Sequence, residues 1–150
     1  MFHHILLPID GSPTSQLAVS RAATLAQLTQ AKISVIYVID PYPFTGVGAD
    51  FAVGQANYTS AANAEADLAM SVARKELEAA GLSCDTQVIE SSAVAKGILD
   101  AAHAVGADLI VMGSHGRRGL EKLVLGSVAQ RVVSHADITV MVVRDPSVKD

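Results

Sequence analysis

The residues best placed to do chemistry are Gly113-Ser114-His115-Gly116 and, after nine intervening residues, Gly126-Ser127-Val128. Glycines let backbone N–H groups come close to an oxyanion. Gly126-Ser127 stands where a helical pattern begins, so unpaired N–H groups and the positive end of a helix dipole would face the same point. This pattern predicts a cradle for an anion, phosphate above all. The Ser127 hydroxyl suits two compatible jobs, capping the helix or meeting a phosphate or its metal. Arg117 and Arg118 lie between the two halves and could add a charge-assisted contact, although loop arginines are often simply solvated. His115 lies inside the motif, beside the anion that such a cradle would hold.

Other chemistries fit less well. No lysine follows Gly126, so the loop is not the lysine-bearing loop of fast nucleotide hydrolases. Gly113-Ser114-His115-Gly116 lacks the spacing of a nucleophile elbow, and neighbouring Ser and His side chains usually diverge. Gly46-Val47-Gly48 has no third glycine and follows a strand only at a distance, which disqualifies it as a dinucleotide fingerprint. His3 and His4 would face opposite sides of a strand, arguing for a structural role over a metal pair. His103 and His135 fall in helical patterns and read as structural or solvated. Cys84 opens a predicted strand with no basic neighbour in sequence, which favours an inert buried thiol.

The elements that must position these residues follow from periodicity. His4 to Ile9 is a short apolar run that breaks at Asp10-Gly11-Ser12-Pro13, as a buried strand turning into a helix should. A helix is predicted from Ser15 to Gln30 and a strand from Lys32 to Ile39. Tyr42 to Tyr58 reads as a long binding loop whose tip moves over a ligand. A helix from Ala61 to Ala80, a strand from Ser83 to Glu90 and a helix from Val94 to Val105 come next. Asp108 to Met112 is the most apolar strand and runs straight into Gly113. Ser127 to His135 and Ile138 to Val143 complete the pattern. Strands and helices alternate throughout, the signature of an open, mostly parallel sheet covered on both faces. Ligands of such sheets sit at the carboxyl ends of the strands.

One domain spanning residues 1–150 is expected, because this length buries an adequate core unaided. Half the residues are hydrophobic but only 4% are aromatic, so the core must be aliphatic. The net charge of −4 and the scattered basic residues exclude an electrostatic footprint for nucleic acid. They do not exclude an anionic ligand, since salt screens global charge beyond about 8 Å. The single cysteine excludes an intrachain disulfide. The start of the chain lacks a basic region, and its apolar run is too short for a membrane span. No membrane insertion and a cytoplasmic location are therefore expected.

The glycine spacing, together with Ile5-Leu6-Leu7-Pro8-Ile9-Asp10-Gly11-Ser12 at one end and Met141-Val142-Val143-Arg144 at the other, resembles the ATP-binding members of the universal stress protein family. The resemblance covers essentially the whole chain. It implies an α/β fold with an open five-stranded parallel sheet of order 3-2-1-4-5, helices on both faces and ATP across the strand ends. By the same resemblance Pro8, Ile9 and Asp10 line the nucleotide pocket, with Asp10 near adenine or a bound metal, Mg2+ or Mn2+. Ile39 presents backbone to the adenine edge. Met112, Gly113, His115, Gly116, Arg117, Gly126, Ser127 and Val128 follow around ribose and phosphates. Asp10 has a second reading as a turn or capping carboxylate. The family pattern departs at Asp137-Ile138-Thr139, where many relatives have Cys-Pro-Val.

The resemblance also implies a homodimer through Ile138 to Val143, with pairing into tetramers left open. An apolar edge strand independently favours such pairing. The leading expectation is an ATP-binding, nucleotide-dependent regulator in the stress response, acting on a protein partner the sequence does not name. Slow ATP hydrolysis or phosphoryl transfer organised by Asp10 and Ser127 is the enzymatic alternative, for which no general base is apparent. A nucleotide-independent dimeric docking module is the third reading.

Overall fold

A computed structural model describes residues 1–41, 46–116 and 125–147. Strands β1 (His4–Pro8), β2 (Lys32–Ile39), β3 (Asp85–Glu90), β4 (Leu109–Gly113) and β5 (Thr139–Val143) alternate with helices α1 (Pro13–Thr29), α2 (Ala49–Ala79), α3 (Val94–Val105) and α4 (Ser127–His135). The strands form one sheet of order β3-β2-β1-β4-β5. Every pair is parallel, with His4 opposite Lys32, Ile5 opposite Leu109 and Leu109 opposite Thr139. The expected 3-2-1-4-5 order is therefore the observed one.

Successive strand residues face opposite sides of a sheet, and here both sides are covered. Ile5, Leu7, Val35, Leu109 and Val111 pack beneath the alanine-rich faces of α1 and α2, with Ala18, Ala22, Ala66 and Ala73 among their neighbours. Leu6, Ile36, Ile110 and Met112 pack on the other side against Ala95, Ile98, Ala102, Ala129 and Val132 of α3 and α4. This is why β1 and β4 read as unbroken apolar runs. Alanine on the helix faces lets the helices lie close to a sheet of branched aliphatic residues, so the core closes with few aromatic rings.

Local signals set the helix ends. Ser12 caps α1, its hydroxyl accepting the Ser15 N–H at 3.3 Å, and Pro13 occupies the first turn, where its missing N–H costs nothing. Gly106 closes α3 with φ of 67°, a left-handed conformation in which a side chain would be strained.

The structure overturns the binding loop expected at Tyr42 to Tyr58. Residues 42–45 lie outside the described residues, and from Ala49 onward the segment is the first part of α2. Pro43 and two of the three glycines that suggested a loop precede Ala49, and only Gly54 follows within the segment. Beyond Gly48 the chain is rich in alanine and other residues compatible with a helix. The Tyr58 hydroxyl donates to the Asp40 carbonyl at 2.8 Å, tying this part of the helix to the end of β2.

At the opposite end of the sheet Asp108 staples β1 to β4. Its carboxylate accepts the His3 N–H (2.9 Å) and His4 N–H (3.0 Å) and meets His3 Nδ1 at 3.1 Å. Its own N–H donates to the His4 carbonyl at 3.0 Å. The His4 ring instead meets the buried Ser34 hydroxyl at 2.8 Å. The two histidines thus serve different strands, as the structural reading expected. His103 is more than solvated, because it meets Asp137 at 2.8 Å and joins the last turn of α3 to the approach to β5. That hydrogen bond raises the His103 pKa and lowers that of Asp137.

Burial pushes the Asp108 carboxyl pKa up, but the His4 and His3 N–H groups and the His3 ring outweigh it and hold it below its ordinary value. Its stabilisation is therefore complete above about pH 4 and is lost as pH falls through the lowered value. Asp108→Ala is expected to lose roughly 1 kcal/mol at neutral pH, solvent screening of the part-exposed carboxylate included, and to flatten the acid limb of stability. Thermal unfolding followed against pH checks both, and equal acid limbs for the two proteins would refute the staple.

Candidate functional site

Strand order reverses at β1, which pairs with β2 on one side and β4 on the other. The loops after β1 and β4 leave toward opposite faces, opening a crevice between them. Pro8 ends β1 opposite Ile36, and the Ile9 N–H continues the ladder by donating to the Ile36 carbonyl at 2.9 Å. The Ile9 and Ile39 side chains belong to the core beneath α1 and α2, and Met112 to the core on the other face. The Ile39 carbonyl accepts the Ser91 N–H at 3.0 Å.

Asp10 fulfils its turn-forming reading with one oxygen and turns the other to the glycine loop. Oδ1 accepts the Ser12 N–H at 2.9 Å, shaping the entry into α1. Oδ2 lies 2.8 Å from where a side chain on Gly116 would begin. Asp10 and the glycine loop are thus brought together across the crevice.

The loop after β4 is held by hydroxyls of the first turn of α1. Thr14 Oγ1 donates to the His115 carbonyl at 2.5 Å and Ser12 Oγ to the same oxygen at 3.4 Å. The Ser114 N–H donates to the Val143 carbonyl (2.8 Å), and the Gly126 N–H to the Ser114 carbonyl (2.7 Å). The sequence gives Ser12 and Thr14 no role in the site, and Ser114 enters it only as part of the glycine motif. The signal for the first two was the hydroxyl-rich Ser12-Pro13-Thr14-Ser15 run ahead of a helix, which reads as capping alone until β4 is seen beside it.

This packing changes the reason for Gly113. A Cβ there would lie 2.6 Å from Thr14 Oγ1 and 2.9 Å from the Ser15 backbone nitrogen, so the glycine lets α1 rest on the end of β4 and not an anion approach the backbone. Gly126 is also close to protein, its missing Cβ 3.1 Å from the Ser114 carbonyl oxygen and 3.4 Å from His115 Cα.

The expected capping role of Ser127 is not observed. Gly126 occupies the cap position in extended conformation without a side-chain hydrogen bond, and Ser127 is the first helical residue, exposed. A glycine cap brings no side-chain oxygen of its own to the first-turn N–H groups, and the polarity of a helix start favours an anion there. Val128 is half-buried and packs beside the core. Arg117 and Arg118 lie outside the described residues.

Two further expectations need correction. Ser114 Oγ and His115 Nδ1 do not diverge but meet at 3.0 Å. Ser114 is only 1% exposed, so it cannot serve a substrate as nucleophile, and the hydrolase reading stays set aside. Cys84 does have a basic neighbour, Arg74, in space. Burial raises the thiol pKa, and the Arg74 charge and hydrogen bond offset this only in part.

Fold and crevice together define a Rossmann-like α/β protein whose polar loops gather at the reversal of strand order. Comparison with known proteins narrows the class. The model of the universal stress protein family matches residues 1–144, and the chain belongs to that family. Universal stress protein MJ0531 of Methanocaldococcus jannaschii is 36% identical over 147 residues, covering 97% of this chain and 84% of that protein. Universal stress protein UspA from Lactobacillus plantarum superposes with a TM-score of 0.84 at 27% identity, covering 95% of this chain and 97% of the other. A universal stress protein solved in complex with cAMP shares the fold at a TM-score of 0.62 and 22% identity, over 95% of this chain and 97% of the other.

The glycine contacts predict a ranking. Gly113→Ala forces a methyl into backbone and should cost about 1–3 kcal/mol. Among the described residues Gly116→Ala meets only the end of the Asp10 side chain, which can swing aside, and it should cost less. Urea unfolding of both variants tests this, and a reversed order would refute the packing role of Gly113.

Proposed function

We propose that this chain binds ATP in the crevice at the ends of β1, β2 and β4 and acts as a homodimeric, nucleotide-dependent regulator in the stress response. The observation that carries the reading is the convergence of Asp10 Oδ2 and the glycine-capped start of α4 on one glycine loop. Backbone N–H groups at a helix start are a phosphate site by their polarity. In this reading Gly116, Gly126, Ser127 and Val128 surround ribose and phosphates, while Pro8, Ile9, Asp10 and Ile39 face adenine.

A divalent ion fits only as a companion of the phosphates. Among the described residues no three His, Cys, Asp or Glu side chains form a metal cluster, and at the crevice Asp10 offers one carboxylate. Mg2+ is commonly held by one or two carboxylates plus phosphate oxygens, and Mn2+ would sit similarly. A universal stress protein of the same fold takes cAMP, but for the present chain the reading rests on its own residues. Among the described residues no helix is long and apolar enough to cross a membrane.

Dimerisation is assigned to β5, which ends the sheet and carries half-buried Val140, Met141 and Val142. An open apolar edge is satisfied by pairing with a second copy. Sedimentation equilibrium should return twice the chain mass, and a monomer mass would remove this part of the proposal.

Calorimetric titration of the nucleotide-free protein with ATP and Mg2+ tests the site. Affinity on the order of micromolar, about −8 kcal/mol, is expected. Gly126→Asp should abolish it by placing a carboxylate at the phosphates. Asp is itself a favourable helix cap, which offsets the tight fit of its Cβ and keeps the variant folded. A native protein that binds no adenine nucleotide would overturn the proposal in favour of a docking module.

A further inference from the structure

Helix α2 carries more apolar residues than its seat on the sheet uses. Ala66, Met70, Ala73 and Leu77 recur at helical spacing and are buried, which is the one stripe a surface helix needs. Glu65, Leu68, Ala69, Val72 and Glu76 recur at the same spacing on the flank toward α1, and with that helix they line a cleft of about 180 Å3. Leu68 remains 69% exposed and Val72 42%. Single exposed leucines need no explanation. Large apolar side chains on successive turns beside a cleft mark a surface that a partner covers.

The cleft's own chemistry selects the occupant. Val19 of α1 and Ala69 of α2 give it apolar walls. Its volume suits one or two side chains, whereas a drug-sized ligand needs roughly 300 Å3 or more. Both ends of the stripe are acidic. Glu65 stands at one end, and at the other Glu76 accepts the Ser20 hydroxyl of α1. The eleven residues between them span about 16 Å of helix. Among the described residues no cation lines the cleft. From Glu65 to Glu78, α2 carries four carboxylates against Arg74 and Lys75, and Arg74 is turned to Thr86 of β3 at 2.5 Å. A second copy of the chain, itself at a net charge of −4, meets such a rim with the wrong overall sign, and a basic partner meets it with the right one.

We propose that the cleft between α1 and α2 docks a basic amphipathic helix of a partner protein. One or two leucine-sized side chains would fill the cleft beside Leu68 and Val72, and lysine or arginine at either end of a stripe of about three turns would face Glu65 and Glu76. Both α1 and α2 cover the same face of the sheet, so a third helix laid along their groove repeats ordinary helix-on-helix packing. Ile9 and Gly11, the neighbours of Asp10 in sequence, also line the cleft. A docked helix therefore touches the same β1–α1 turn that holds Asp10 against Gly116. Docking itself does not require the crevice to be filled, and it stands whether or not the crevice takes ATP.

The test is NMR titration of the nitrogen-15 labelled, nucleotide-free protein with three synthetic peptides of about five helical turns. One is an amphipathic leucine/lysine helix, one has every lysine replaced by glutamate, and one has the first peptide's composition scrambled. The first should move the amide signals of Gln16, Leu68 and Val72 saturably, and the other two should bind at least about tenfold more weakly. Leu68→Ser, a change at an exposed position, should weaken the first peptide about tenfold, the effect of losing one anchor. Glu65→Gln combined with Glu76→Gln should weaken it about fivefold, as the loss of two screened ion pairs, while Gln at 76 keeps an acceptor for Ser20. Absence of cleft shifts with the first peptide, equal binding of the scrambled one, or an affinity indifferent to Leu68→Ser would overturn the proposal. Cleft shifts that appear on raising the protein concentration alone would overturn it in favour of a second copy of the chain.

Discussion

The close approach of the first turn of α1 to the end of β4 is the constraint on which the rest of the crevice depends. Gly113 leaves Thr14 and Ser15 the space to lie against the strand, and the Thr14 and Ser12 hydroxyls then hold the His115 carbonyl. This contact joins loops that are about one hundred residues apart in sequence. It brings Asp10 to Gly116, and through the hydrogen bond from Gly126 to Ser114 it sets where α4 begins. The glycine loop, Asp10 and the start of α4 take their relative places from that packing.

The approach can be held because both elements stand on a stiff base. β1 and β4 are buried on both faces, with Ile5, Leu6, Leu7, Leu109, Ile110 and Val111 fully enclosed. Interiors packed this densely transmit displacement and do not absorb it. The opposite ends of the same two strands are stapled by Asp108. A rigid pair of strands held at its foot gives its loops little freedom in height or register, as a preorganised binding site requires.

The electrostatics of the crevice are local. The chain carries a formal net charge of −4, yet the start of α4 presents N–H groups without a side-chain cap. Dipoles within hydrogen-bond distance outweigh distant charges that salt screens. Asp10 contributes one carboxylate oxygen to its own turn and leaves the other toward the loop, so a single residue shapes the backbone and faces the site.

The sequence by itself determined the alternation of strands and helices, the boundaries of β2, α3 and α4, and the glycine motif, because each is written in local periodicity and punctuation. It also carried the family, and with it the sheet order, through motifs spread over the whole chain. Tertiary structure decided what depends on distant neighbours. Gly113 is small because of Thr14, Cys84 has Arg74 beside it, and Ser114 meets His115 in place of diverging from it. Ser127 ceded the cap to Gly126, a shift of one residue that periodicity cannot resolve. The loop expected through Tyr58 became helix because its breakers cluster before Ala49 and Tyr58 found the Asp40 carbonyl. Local pattern reports what the backbone prefers, whereas the site is made of close approaches between segments, and those exist only once the sheet has brought the segments together.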